Sequence, residues 1–378
     1  MSAAAVSDEL LTRPVDAGAI EREIGLLWRE EGDNRHKVAP NEKPLGRTLL
    51  HTLVVYVGDE ASANQARQVT AALNPGQPGR TILLVGRPPG EAGSENQEIE
   101  ASVGLHCVVP GPGQDVVCCE HVTLTAPNPV AVRRLPGTIL PLLITDVPSF
   151  LCWVTGNPFR HPILRDLAPA IDRLIVDSFT FTAPEPDLAD VAAALKDRRF
   201  HAIISDMSWA RLAVWRYQTA QLFDAAQMRP YLDRLQHVRL SYYAGTPVLA
   251  WLFGGWLASR LGWRPVDRSP QGVRFADGQS LEYVSLAPDE AGRPGYFAGV
   301  RLTADDGTTC EVARRGAGFT ATRVTVGDLT TERVVPLRVE TMTEWLGHEL
   351  GRLSPTPTYE AALRLLADAT AAGAANVG

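Results

Sequence analysis

The sequence predicts an α/β protein: an N-terminal α/β domain followed by a C-terminal α+β domain with an antiparallel β meander. Three observations carry this. Two near-continuous apolar runs, "TLLHTLVVYVG" from Thr48 and "RTILLVGR" from Arg80, flank the helical stretch "ASANQARQVTAAL", which is the texture of a βαβ unit with a buried parallel sheet. A second βαβ texture, "IDRLIVDSFTF", a helix over 187–196 and "FHAIIS", follows the Pro/Gly/His cluster "TGNPFRHPI". From Arg264 to Pro336 the chain then alternates in short β-type runs with Asp-Gly at 277–278 and 306–307, a hairpin signal.

In chain order, 17–31 places Ile20, Ile24, Leu27 and Trp28 at helical spacing, and "GDNRHKVAPNEKPLG" breaks that pattern. Residues 1–47 therefore read as an N-terminal helix and linker, 48–158 as the N-terminal α/β domain and 159–378 as the C-terminal α+β domain. "GLHCVVP" and "DVVCCEHVTLTA" are strand candidates on either side of the turn "GPGQ", and "NPVAVRRLPGTI" is a short helix. It leads into "LPLLITDVPSFLCWV", whose "LLITD" reads as a strand ending at Asp146. "LIVDS" reads likewise as a strand ending at Asp177. The segment 206–227 reads as one long helix, "PVLAWLFGGWLASRLGW" as another, and "VETMTEWLGHELGRL" and "TYEAALRLLADA" close the chain in helix.

Composition narrows the function. The chain has 378 residues, 45% of them hydrophobic and 21% charged, with a net charge of −7, so it lacks the basic footprint of a nucleic-acid binder or of a protein that docks on anionic lipid. It has neither a run of roughly 20 apolar residues nor the basic-then-apolar start of a secretory signal, and five scattered cysteines do not form a disulfide framework. The expectation is a cytoplasmic protein with reduced thiols, no membrane partner and no nucleic acid.

Motifs for chemistry are sparse. "VGRPPGEAG" after the second apolar run matches neither the dinucleotide fingerprint nor the Walker loop and reads as a surface turn, while Gly254-Gly255 reads as close helix packing. Serine-hydrolase, zinc-protease and kinase signatures are missing, and no cofactor or metal is expected. His106-Cys107 and Cys118-Cys119-Glu120-His121 leave three readings open: buried small side chains, a redox-responsive thiol pair, or a metal site, the last disfavoured by the spacing. Period two puts Cys118 and Cys119 on opposite faces, so a bridge from Cys107 to one of them is easier than a vicinal one.

Asp146 and Asp177, read as carboxyl-end residues, mark where open α/β sheets gather polar sites, and they define a rival reading as a nucleotide- or sugar-phosphate-binding enzyme. Arg216 falls inside the apolar arc of the 206–227 helix, among Trp209, Leu212 and Trp215. A guanidinium there calls for a carboxylate, so an ion pair with Asp146, Asp177 or Asp206 is expected; the alternative is that Trp215 and Arg216 anchor a partner.

Three blocks together, "LPLLITDVPSFLCWVTGNPF", "IDRLIVDSFTF" and "DMSWARLAVWRYQTAQLFD", continued by "WLASRLGW", resemble the OpcA-type glucose-6-phosphate dehydrogenase assembly proteins. The resemblance implies a non-catalytic protein that binds that dehydrogenase, promotes its active oligomer and supports the oxidative pentose phosphate pathway. It marks Asp146, Pro148, Trp153, Asp177, Trp209, Arg211, Leu212, Trp215 and Arg216 as signature residues, in partner-binding or structural roles. It also brings thioredoxin forward as a partner, with Cys107, Cys118 and Cys119 as redox candidates.

Overall fold

A computed structural model describes residues 7–11, 15–38, 45–73, 77–86, 98–109, 115–287, 296–316, 318–338 and 340–375. Most of "VGRPPGEAG" and all of "GPGQ" lie outside the described residues. The chain divides into two compact units. The first comprises Met1–Val176, Arg199–Ser205 and Thr341–Pro355; the second comprises Asp177–Arg198, Asp206–Glu340 and Thr356–Gly378. The division thus falls after Val176 rather than at 158/159, and later segments return to the first unit.

The first unit is built on an eight-stranded sheet of β1 (Ser7–Leu11), β2 (Thr52–Val57), β3 (Arg80–Gly86), β4 (Glu100–Val108), β5 (Val117–Ala126), β6 (Ser149–Trp153), β7 (Arg173–Val176) and β8 (Ile203–Asp206). Their spatial order is β1-β4-β5-β3-β2-β6-β7-β8. β5, β3, β2, β6 and β7 are mutually parallel, and β4 and β1 add an antiparallel edge. β2, β3 and β6 are buried at every position and mostly apolar, because both faces of the parallel sheet are covered. Crossovers run through α2 (Glu60–Leu73), α3 (Pro129–Ile139) and α4 (Pro162–Leu167). The order reverses between β2 and β6, the switch point of a doubly wound sheet.

The N-terminal helix α1 (Ala17–Val38) runs seven residues past the expected end and is packed on this sheet. Ile20, Ile24 and Leu27 are buried, and Trp28 Nε1 donates to the fully buried Glu120 Oε1 at 2.8 Å. Glu120 in turn accepts from Arg80, which also pairs with Glu21 of α1. The strand β1 was not expected from its sequence.

In the second unit the strands are β9 (Leu235–Tyr243), β10 (Pro265–Ser269), β11 (Gly272–Phe275), β12 (Ser280–Leu286), β13 (Phe297–Ala304), β14 (Thr309–Arg314), β15 (Phe319–Val326) and β16 (Leu329–Pro336). They form one sheet in the order β10-β11-β12-β9-β13-β14-β15-β16, antiparallel throughout except for β9 with β12. The expected meander is present, with β9 as an unforeseen central strand. Both Asp-Gly turns form, their glycines at φ 86° and 83°.

The helices of this unit are α5 (Pro184–Lys196), α6 (Met207–Arg211), α7 (Ala213–Gln221), α8 (Val248–Leu261) and α10 (Pro357–Ala375), while α9 (Met342–Leu350) belongs to the first unit. Gly254-Gly255 on α8 serves close packing. A Cβ on Gly254 would lie 2.9 Å from Leu281 of the sheet, and one on Gly255 would lie 2.7 Å from the Ala362 carbonyl of α10. Among the described residues, no helix is long and apolar enough to cross a membrane.

Candidate functional site: the Asp177–Arg211 network and the sheet switch point

The carboxylates that follow β7 and within β8 organise the second unit. Asp206 caps α6: its Oδ1 accepts from Ser208 N at 2.8 Å and from Ser178 N at 3.2 Å, and its Oδ2 from Tyr359 Oη at 3.1 Å. Asp177 caps the next turn by accepting from Phe179 N, and it holds Arg211 bidentately, with Nη1–Oδ1 2.6 Å and Nη2–Oδ2 2.9 Å. Burial, aided by the Asp177 charge, pushes the Asp206 carboxyl up to about 6. Burial opposes the charge on Arg211, but the bond to Asp177 outweighs it and leaves the guanidinium above its ordinary range. The fully buried Tyr359 hydroxyl is raised well above its usual value by burial and by Asp206.

The expected single helix over 206–227 is broken. Leu212, at φ −87° and ψ −3°, separates α6 from α7, and α7 ends at Gln221. The break re-aims the side chains: Trp209 turns to Tyr359 (ring centroids 5.4 Å apart), while Trp215 packs edge-on against Phe297 at 5.0 Å and is 2% exposed. Gln218, placed on the polar side by a continuous helix, is buried instead and accepts from Thr320 Oγ1 at 2.7 Å. Ala213 and Ala220, placed on the apolar side, are exposed.

The expected ion pair of Arg216 is not formed. Its guanidinium carbon lies 3.7 Å from the Trp209 ring centroid, and its Nη1 donates to the Trp209 carbonyl at 2.7 Å. Asp177, one of its expected partners, is held by Arg211 instead. Burial lowers the Arg216 guanidinium to about 9, still charged at neutral pH. A cation–π contact and a carbonyl satisfy a half-buried arginine without a counter-ion. The partner-anchor reading of Trp215 fails too, because its ring lies in the core of the unit.

Asp146 also departs from expectation. "LLITD" is no strand: Leu140–Leu142 is a 3-10 turn, and Asp146 lies exposed in a following turn at φ 69°. It precedes β6, whereas Asp177 follows β7, and the two strands are parallel. The two aspartates therefore mark opposite strand ends and do not form the site that the rival enzyme reading required. Pro148 accepts Thr52 N through its carbonyl at 2.9 Å, which starts the β2–β6 pairing.

Trp153, the last residue of β6, is at the switch point. Its ring stacks on Tyr56 of β2 with centroids 4.0 Å apart, and its Nε1 donates to the Thr155 carbonyl at 2.7 Å. His161 closes the group, 4.9 Å from Trp153 between ring centroids and with Nε2 3.2 Å from Tyr56 Oη. Burial lowers His161 to about 4 and raises Tyr56 to about 12, so both are neutral at pH 7. Beside them Asp59 caps α2: Ser62 donates to it from N at 2.8 Å and from Oγ at 2.9 Å. Tyr56, His161, Ser178, Ser208 and Tyr359 were not singled out from sequence. Only Asp59 carried a signal, an aspartate three residues before a serine at the start of a helical run.

Cys107 and Cys118, directly opposite across β4 and β5, form a disulfide. Cys119 points to the other face, is buried and free, and burial raises its thiol to about 11. Among the described residues, no cluster of potential ligands could hold a metal.

This arrangement is that of a doubly wound α/β unit joined to an antiparallel-sheet unit, with its polar clusters bonded internally. Family models described as glucose-6-phosphate dehydrogenase subunit N-terminal domain and C-terminal domain match residues 70–193 and 202–363. The chain belongs to the OpcA-type glucose-6-phosphate dehydrogenase assembly family. It is 29% identical over 261 residues to a protein of Nostoc punctiforme (67% of this chain, 55% of the relative) and 28% over 299 residues to one of Synechococcus elongatus (72% and 64%). A Synechocystis protein is 30% identical over 178 residues (47% and 37%). All three are named OxPP cycle protein OpcA, and the matches span about a third to two thirds of their length. Solved structures align more distantly. An NAD binding oxidoreductase of Klebsiella pneumoniae gives a TM-score of 0.46 at 10% identity (87% of this chain, 98% of that one). The myo-inositol dehydrogenase of Lactobacillus casei gives 0.45 at 8% (86% and 94%). A likeness of this size carries nothing about reaction or cofactor.

Proposed function

We propose that this chain is a non-catalytic assembly factor that binds glucose-6-phosphate dehydrogenase, favours its active oligomer and thereby raises its activity in the oxidative pentose phosphate pathway. The observation that carries this reading is the pair of dehydrogenase-subunit domain matches, in order, over 70–193 and 202–363. The internal bonding of the Asp177–Arg211 network supports it, because Asp177, Asp206 and Arg211 are already engaged by neighbours in the fold.

Such a protein acts by differential binding alone. A tenfold tighter hold on the active dehydrogenase oligomer than on the inactive form supplies about 1.4 kcal/mol per coupled site, with no chemistry in the activator. The signature residues then act by fixing the fold that presents the contact surface. Within the same proposal, the chain works in the cytoplasm, and the Cys107–Cys118 bridge is where a dithiol protein such as thioredoxin acts, reducing the disulfide to two thiols while its own dithiol is oxidised.

Co-purification tests the reading. Tagged chain passed over the dehydrogenase of the same organism should retain it as a stoichiometric complex. Passage of the dehydrogenase without retention contradicts the proposal.

A further inference from the structure

The strand order β5-β3-β2-β6-β7 with its switch between β2 and β6 is that of the dinucleotide-binding class, in which NAD(P) lies across the carboxyl ends at the switch. That class makes three demands on the first βα unit. Its turn carries glycines that let the pyrophosphate approach, the helix N-terminus presents free amides, and an acid at the end of the second strand takes the ribose. We infer that the first unit keeps this fold without the cofactor: side chains of its own, Asp59 at the helix and Tyr56 with Trp153 at the switch, stand where a dinucleotide would bind.

The turn after β2 reads Gly58-Asp59-Glu60-Ala61-Ser62-Ala63, so only the first of the three glycine places holds glycine. Ala63 at the third is a residue the class also uses, but Glu60 holds the second, where the backbone must approach the pyrophosphate. The helix N-terminus is already answered by Asp59, whose carboxylate takes Ser62 N and Oγ and whose carbonyl accepts Ala63 N at 3.0 Å. The bonds from Ser62 hold the Asp59 carboxyl below its ordinary range, so it is an anion at neutral pH. Glu60, bonded to Arg67 at 2.7 Å, adds a second carboxylate in the same first turn. A pyrophosphate there would meet the Asp59 anion beside the Glu60–Arg67 ion pair, and would find the Ser62 amide already bonded.

The crevice is equally closed. The stacked rings of Tyr56 and Trp153 span the two switch strands, and both are buried. At the end of β3, where the ribose-binding acid belongs, stands Gly86, and even a Cβ there would lie 2.5 Å from Tyr56 Oη. The tyrosine therefore extends over the neighbouring strand end as well.

Calorimetric titration of the full chain with NADP+, NADPH and NAD+ tests this, with glucose-6-phosphate dehydrogenase under the same conditions as the positive control. The expected result is no saturable heat and an unmoved melting temperature at concentrations that saturate the dehydrogenase. Saturable binding of any of the three overturns the inference. Neither result depends on whether the chain activates the dehydrogenase, so this inference and the assembly proposal fail separately.

Discussion

Arg216 lies over the ring of Trp209, 3.7 Å from its centroid, and returns a hydrogen bond to the carbonyl of that same residue. The break at Leu212 makes this possible, because it lets α7 fold its arginine back onto α6. No buried carboxylate is stranded when the guanidinium is removed. Arg216→Ala should then destabilise the protein by about 2 to 3 kcal/mol, the sum of one cation–π contact and one charged hydrogen bond, and chemical denaturation measures it. Arg216→Met should recover part of that by packing on the indole.

Trp215 gives the sharper contrast. Its ring is in the core against Phe297, which stacks on Phe253. Trp215→Ala should cost about 3 to 5 kcal/mol in the same assay. A loss below about 1 kcal/mol, with dehydrogenase binding impaired, would restore the discarded view of Trp215 as a partner anchor.

Asp206 predicts a pH dependence. Its folded carboxyl titrates near 6, while in the unfolded chain it titrates near 4, so the folded protein holds the proton more tightly. The resulting stabilisation is fully present below about pH 4 and is lost as the pH rises through 6, with a span of about 3 kcal/mol. Asp206→Asn keeps an acceptor for Ser208 N and an amide toward Tyr359 Oη. The difference in unfolding free energy between native and Asp206→Asn protein, measured from pH 4.5 to 7.5, should therefore move in favour of the variant as pH rises. A difference that is flat with pH would refute the assignment.

These features were unevenly legible in the sequence. β2 and β3 could be read directly because both faces of a parallel strand are buried, and the Asp-Gly turns because their glycines need positive φ. Asp177 could be placed at a strand end for the same reason. Asp146 could not: the apolar run before it is buried partly as a 3-10 turn, and apolarity alone does not separate the two. The partner of Asp206 is Tyr359, 153 residues away, and no local pattern encodes such a contact. The helix break at Leu212 was hidden because leucine is a good helix former; tertiary packing of the two tryptophans on different neighbours overrides it. β1 and β9 were missed as runs of mixed polarity.

The Cys107–Cys118 bridge should stabilise the first unit by about 3 kcal/mol, since it closes a short loop between β4 and β5. Reductant, or Cys107→Ser, should lower the melting temperature of the oxidised protein. Cys119, buried with its thiol raised to about 11, should resist alkylation in the folded protein under both conditions. Equal melting with and without reductant would show that the bridge carries no load.

Activation without chemistry in this chain is tested by one titration. Glucose-6-phosphate dehydrogenase from the same organism is held at fixed concentration while the full chain is added, with the rate of NADPH formation and the sedimentation of the mixture followed together. The expected result is a saturable rise in rate that tracks a shift of the dehydrogenase to a larger complex, with no NADPH formation by the chain alone. An unchanged rate with the dehydrogenase sedimenting as it does by itself, at chain concentrations far above those in the co-purification, would contradict it.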